Sequence, residues 1–286
     1  MVSNSEGSSA LPLHLYKYRN LLGDGRKHIE QLLRSADLYF AAPNSFNDPL
    51  DSQVHLDFPN SPTAFRKWLV GAMKAHRPDL NRRQREELAA EEVRRKKPHR
   101  NTILQEAIIA DLQRDVDRLG VFCLCDHADD ILMWSHYGAG HSGVCLEFET
   151  DFGEEGAPSA RSLPGSDNAP GPVRVAYSST FPSVGFFESN ERQVQAILLT
   201  KAERWSYERE WRIIDFKGPG LRHFDPWRLS GIIFGCRMIE TDRKAIKEWI
   251  EAGPTRPRLY EASIAAGSYS LDVRPLEEAA PSSRRI

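Results

Sequence analysis

Apolar positions change their spacing several times along the chain, and each change marks an element. Leu13 to Arg19 (LHLYKYR) predicts a short strand. Ile29, Leu32, Leu33 and Ala36 then recur at helical spacing. Leu38 to Ala41 predicts a second strand, and Pro43-Asn44-Ser45-Phe46-Asn47-Asp48-Pro49 is turn chemistry. Between residues 62 and 119 the pattern becomes helical. Phe65, Trp68, Leu69 and Met73 mark one amphipathic helix, and Ile103, Leu104, Ala107, Ile108 and Leu112 a third helix of this stretch. A charged run of both signs, Arg82 to Lys97, separates them. Strand patterns return at Val121 to Cys125, Gly143 to Glu149, Val173 to Tyr177, Glu210 to Phe216, Ser230 to Gly235 and Leu259 to Ile264. Helices are predicted over Ile131 to Tyr137, Val194 to Arg204 and Ile239 to Ile250.

Strands and helices mix without a regular βαβ rhythm, which predicts an α+β fold over a doubly wound sheet. The expectation is a mixed, mainly antiparallel sheet core. One α+β domain spans 13–274, with a helical insert at about 62–119. Residues 1–12 read as a disordered lead, 151–171 as a flexible loop rich in Gly, Pro, Ser and Asp, and 275–286 as a loose tail.

Composition changes this picture little. A chain of 286 residues can bury a core without disulfides or metals. Its net charge of -2 places any basic patch locally rather than over the whole molecule. Arg94-Arg95-Lys96-Lys97 is such a run; it could touch phosphate or form a solvated helix face. The four cysteines lack a second pair at zinc-ligand spacing and read as reduced, buried thiols. The polar N-terminus does not read as a secretory signal, and no apolar run is long enough to span a membrane. These features fit a reducing cytoplasm.

Four polar-aromatic clusters could carry chemistry. In Tyr16-Lys17-Tyr18-Arg19, strand alternation sends Lys17 and Arg19 to one face and both tyrosines to the other. Two cations with phenols beside them can hold an anionic ligand, or can be a surface strand with snorkelling stems. In Phe46-Asn47-Asp48-Pro49, the Asn47 and Asp48 side chains can contact substrate or lock the turn. Met133-Trp134-Ser135-His136-Tyr137-Gly138, with His141-Ser142-Gly143, places Trp134 and Tyr137 on one helix face, as pocket or as core. Last comes Lys201, then Trp205-Ser206-Tyr207-Glu208-Arg209-Glu210-Trp211-Arg212. Extended, it would face Glu208 and Glu210 to one side, where two nearby carboxylates raise one pKa toward the general-base range. The alternative is a ladder of Glu and Arg paired across strands.

These clusters, in this order, resemble a bacterial family of unknown function, number 2971 of its series. Its pattern is LYKYR, then FNDP, a Cys-x-Cys or Cys-x-Ser strand, MWSHY with HxGxCLEF, and finally Lys, Trp and YE-EWR. The resemblance covers roughly residues 13–236 and carries no settled activity. The order of elements also resembles the ADP-ribosyltransferase fold, which implies a split sheet. There a first strand holds NAD through His or Arg; Lys17 stands at the corresponding position. Gly120-Val121-Phe122 through Asp126 and on to Tyr137 is similar to a second motif, and Glu208-Arg209-Glu210 to the late E-x-E.

That resemblance implies an enzyme consuming NAD, as a transferase or glycohydrolase of the toxin or phage-defence type. Glu210 would be the catalytic glutamate, with Glu208 and His136 beside it. Lys17, Tyr18, Arg19, Asn47, Asp48, Trp134 and Tyr137 would bind the dinucleotide. NAD would be a substrate, no metal is expected, and the acceptor would be protein or nucleic acid. A second expectation is a non-enzymatic sensor binding a nucleotide-like small molecule in the same pocket. A third is a metal-dependent hydrolase using Asp48, His136 and His141.

Overall fold

A computed structural model describes residues 11–150 and 171–276. Most of the expected disordered lead, nearly all of the 151–171 loop and most of the loose tail lie outside the described residues. Chain contacts gather the protein into two units. The first takes residues 1–41, 120–174 and 206–286; the second takes 42–119 and 175–205.

In chain order the elements open with β1 (His14–Arg19), α1 (Asp24–Ser35), β2 (Asp37–Phe40) and β3 (Leu56–Asp57). Three helices follow: α2 (Pro62–His76), α3 (Arg82–Lys96) and α4 (Thr102–Asp117). Next come β4 (Gly120–Cys125), α5 (Ile131–His136), β5 (Val144–Glu149), β6 (Val173–Arg174), β7 (Ala176–Ser178) and β8 (Val184–Gly185). Then α6 (Asn190–Leu198), β9 (Thr200–Ala202), β10 (Glu210–Asp215), β11 (Gly220–His223) and β12 (Leu229–Phe234). The last are α7 (Glu240–Ala252), β13 (Arg258–Ile264) and β14 (Leu271–Pro275).

The first unit is built on an eight-stranded sheet of order β14-β13-β12-β5-β1-β4-β10-β6. Its pairings are antiparallel except β12 with β13, which α7 connects as a crossover. The fold is therefore α+β with a mixed, mostly antiparallel sheet. Alternation along β1 assigns its two faces. Leu15 joins Phe122, Leu146 and Trp211 in a core that α1 and α7 cover with Ile29, Leu33, Ile246 and Trp249. Tyr18 joins Cys125 and Cys145 on the other face, under Met133 and Trp134 of α5. Burying each of the α1 side chains Ile29, Leu32 and Leu33 contributes about 1.5–3 kcal/mol. The helix stops where Ala36 turns left-handed and returns its N–H to the Leu32 carbonyl.

β1 is hydrogen-bonded along its whole length to β5, from His14 opposite Glu149 to Arg19 opposite Val144. Its register with β4 is a single pair, Tyr16 opposite Cys125. β4 in turn pairs fully with β10, from Glu210 opposite Cys125 to Asp215 opposite Gly120. Two well-paired groups of strands thus meet at one residue pair.

The second unit holds α2, α3, α4 and α6 with two short parallel ribbons, β3–β8 and β7–β9. Each helix begins where the sequence supplies a cap. Ser61 accepts from Ala64 N–H, Asn81 forms a reciprocal box with Gln84, Asn101 accepts from Leu104 N–H, and Ser189 from Arg192 N–H. The rings of Phe58, Phe65, Trp68, Phe186 and Phe187 cluster in this unit, with Phe58 stacked on Phe186.

Two expected elements differ, and β3, β8, β11 and β14 are not among those expected. The helix expected over Val194 to Arg204 starts at Asn190 under its Ser189 cap and ends at Leu198. Beyond it Thr200–Ala202 pairs with β7, and a 3-10 helix spans Glu203–Glu208. The strand expected over Val173 to Tyr177 divides, because β6 pairs with β10 and β7 with β9. β14 escapes the pattern reading, although Leu271-Asp272-Val273 alternates as an antiparallel partner of β13 should.

Candidate functional site

The junction of β1 and β4 brings Lys17 and Arg19 within electrostatic reach of each other and of Glu210. Past the Tyr16–Cys125 pair the two strands no longer exchange backbone hydrogen bonds, so carbonyls there need other donors. Lys17 supplies one: its Nζ donates to the Cys123 carbonyl oxygen at 2.6 Å and lies 4.2 Å from the Phe122 ring centre. Burial, and then the neighbouring Arg19, pull the Lys17 pKa down to about 7. Glu210 acts on the same ammonium in the opposite sense. Burial also lowers the Arg19 pKa. Neither Lys17 nor Arg19 makes an ion pair with a carboxylate among the described residues. Next to them His28, its pKa lowered by burial and then by Arg19, stacks on Tyr39 with ring centres 4.4 Å apart.

On the β10 side of the junction, Glu210 is buried and held by Arg212 in a fork, Nε to Oε1 at 2.7 Å and Nη2 to Oε2 at 3.0 Å. The Cys123 thiol also hydrogen-bonds with Glu210, and burial first, then Glu210, push its pKa up to about 12. Both carboxylate oxygens of Glu210 therefore serve the guanidinium. Its negative charge is compensated by Arg212, beside two cations that form no ion pair with a carboxylate among the described residues.

Glu208 and Glu210 do not alternate along one strand. Glu208 closes the 3-10 helix, and Arg209 has φ +44°, so the chain turns before β10 begins. Tyr137 donates its hydroxyl to Glu208 Oε1 at 2.6 Å. His136 is exposed at the end of α5, its ring 6.3 Å from those of Tyr137 and Tyr207. Arg209 holds the turn from outside, with Nε 3.0 Å from Asp126 Oδ1 and 3.1 Å from His127 Nδ1. His127 is buried, and its Nδ1 accepts from Arg209.

Two expected ligand contacts are core residues. Trp134 is fully buried, donates its indole N–H to the Ala128 carbonyl, and meets Tyr18 edge-on at 5.1 Å. Tyr18 is buried and donates its hydroxyl to the His127 carbonyl. The glycine of HxGxCLEF, Gly143, serves packing: a Cβ there would lie 2.2 Å from the Arg19 carbonyl oxygen. Asn47 and Asp48 belong to the second unit. Asp48 accepts the Leu50 N–H through Oδ1 and the Trp205 indole N–H through Oδ2 at 2.6 Å. Lys201 there lies over Trp205 and forms a buried ion pair with Asp51 at 3.6 Å. The basic run ends α3, where Arg95 and Lys96 both pair with Glu92.

Sequence reasoning missed Cys123, His28 and Tyr39 as neighbours of the site, and placed Arg212 in the last cluster without assigning it to Glu210. Arg212 lies two residues from Glu210 on a strand, and that spacing was a usable signal. His28 and Tyr39 meet only through the packing of α1 on β2, which no local pattern encodes. Among the described residues no three His, Cys, Asp or Glu side chains gather as metal ligands, and no helix is long and apolar enough to cross a membrane.

Comparison with curated proteins and with solved structures returns no match. A family model does match: residues 133–213, which run from the MWSHY segment through CLEF to Glu210-Trp211-Arg212, are similar to the family described as "Protein of unknown function (DUF2971)".

Proposed function

We propose that the first unit binds a nucleotide-type anion at the β1–β4 junction, with Lys17 and Arg19 on its phosphates. The observation that carries this reading is the pair of neighbouring cations on β1 without a carboxylate partner among the described residues. Placing two such charges together is costly unless an anion shares the site. Arginine's fork suits a phosphate, and the His28–Tyr39 stack offers a flat surface next to it. A protein of this kind would act as a sensor of a nucleotide-like metabolite. The test is a thermal shift series with ADP-ribose, NAD and inorganic pyrophosphate. Stabilisation that Arg19→Ala abolishes supports the reading; a melting point unmoved by all three overturns it.

A second reading makes the ligand a substrate: an ADP-ribosyltransferase-like enzyme or glycohydrolase consuming NAD, of the toxin or phage-defence type. It draws support from the reach of Glu210 to Lys17 across the junction. Glu210 would have to offer an oxygen to the ribose as nicotinamide leaves, while Arg212 keeps it ionised and oriented. Tyr137 and Glu208 would sit alongside, and Tyr137 is better placed than the buried Trp134 to meet a nicotinamide ring. The acceptor would be protein or nucleic acid. Nicotinamide release by the wild type, lost in Glu210→Gln, supports turnover. No release, with or without cell lysate, leaves binding alone.

A further inference from the structure

The second unit contains a cavity of about 390 Å³ that belongs to none of the clusters above. Its lining is mostly apolar, with Glu92, Lys96, Asp115 and Glu188 among the remainder. Phe65, Trp68 and Leu69 come from α2, and Leu104, Ile108 and Leu112 from α4, with Phe186 closing one side. The α4 residues are spaced i, i+4, i+8, so a whole stripe of that helix faces the cavity. Each of the three is only partly buried, and Trp68 is 40% exposed. Trp68 and Phe65 bring their rings to 4.9 and 5.3 Å from that of Phe186, which gives the cavity an aromatic wall.

The charged residues around it are already compensated. Glu92 pairs with Lys96 at 2.8 Å and with Arg95, Asp115 pairs with Arg118 at 3.2 Å, and Glu188 with Arg192 at 3.8 Å. The Gln193 amide donates to the Gly185 and Phe186 carbonyls. A charged guest would lose its hydration without finding an uncompensated partner. A neutral apolar guest would gain burial against surface that water now wets. The volume falls at the small end of the roughly 300–1,000 Å³ range of ligand sites, enough for a molecule of two or three rings.

We infer that this cavity is a binding site for a small, neutral, apolar ligand carrying an aromatic ring, stacked against Phe186 and Trp68. The site lies wholly within the second unit and stands or falls independently of the nucleotide reading.

The test is a fluorescence titration of the full chain with N-phenyl-1-naphthylamine, a neutral two-aryl probe. Saturable, one-to-one enhancement is expected, weakened about tenfold or more by Ile108→Trp, which fills the cavity. Leu112→Phe, a smaller intrusion, is titrated alongside and decides the matter if Ile108→Trp fails to fold. Ile103→Ser, on the exposed side of α4, should bind as the wild type does. The anionic relative 8-anilino-1-naphthalenesulfonate should bind about tenfold more weakly or worse. Enhancement that does not saturate, unchanged affinity in the filled variants, or equal or tighter binding of the anionic probe would overturn the inference.

Discussion

The ammonium of Lys17 donates to the backbone carbonyl of Cys123 at 2.6 Å, at the point where β1 and β4 have stopped pairing. A side chain thus replaces a missing rung of the ladder. The replacement draws a charge into a partly buried position beside Arg19, the pair of cations on which the proposed anion site rests.

Lys17 makes folding depend on pH. Its folded pKa of about 7 lies below the unfolded value, so between about pH 7 and 10 the folded chain binds fewer protons than the unfolded one. Stability should rise with pH across that window, and the penalty for the charge should be complete below it. Lys17→Met has no such penalty. Urea unfolding should therefore show the variant gaining most on the wild type near pH 6 and losing that advantage toward pH 10. Anion affinity should run the other way, weakening about tenfold from pH 6 to 8 as Lys17 loses its proton.

Arg209 adopts φ +44° between the two glutamates. Replacing it by Ala or Gly removes the same contacts to Asp126 and His127, but only glycine takes the left-handed conformation without cost. Arg209→Gly should be more stable than Arg209→Ala by about 1 kcal/mol, read from chemical denaturation midpoints. Equal stabilities would mean the turn is not strained.

Arg212 is fully buried against Glu210. Arg212→Met should destabilise by about 3–5 kcal/mol, because a buried carboxylate loses its fork. The double variant Glu210→Gln, Arg212→Met should recover part of that loss, since the charge itself is gone. A double variant no better than the single would show that the packing of Arg212, rather than its charge, matters most.

Tyr137 bonds a buried carboxylate, Glu208, at 2.6 Å. Tyr137→Phe should cost about 1.5–3 kcal/mol, the worth of a hydrogen bond to a charged group, seen as a lowered melting temperature. His136→Ala at the exposed neighbouring position should change stability by about 0.5 kcal/mol or less.

Much of this fold is legible from spacing. The apolar stripe of α1, the alternation of β1 and the short runs of β4, β5, β10 and β12 each carry their own signal. Ser61, Asn81, Asn101 and Ser189 mark helix starts in the sequence as well as in space. What escapes is set by partners far away in the chain. β7 and β9 are too short to show a period and exist because they pair with each other. The left-handed turn at Arg209 breaks the alternation that the spacing of Glu208 and Glu210 implies, and a non-glycine residue there gives no warning. At the site, the separation of Lys17 and Arg19 from the tyrosines follows from strand geometry alone. The Arg212 fork, the Cys123 contact and the His28–Tyr39 stack depend on tertiary packing. Trp134 illustrates the opposite ambiguity, since an aromatic in a polar motif has the same letter whether it lines a pocket or fills a core.

Isothermal titration of ADP-ribose into the wild type and Arg19→Ala tests the anion site most directly. The account predicts saturable binding to the folded wild type, weakened about tenfold or more in the variant while its unfolding midpoint stays close to that of the wild type. No binding by the wild type, or the same affinity in both proteins, would contradict it.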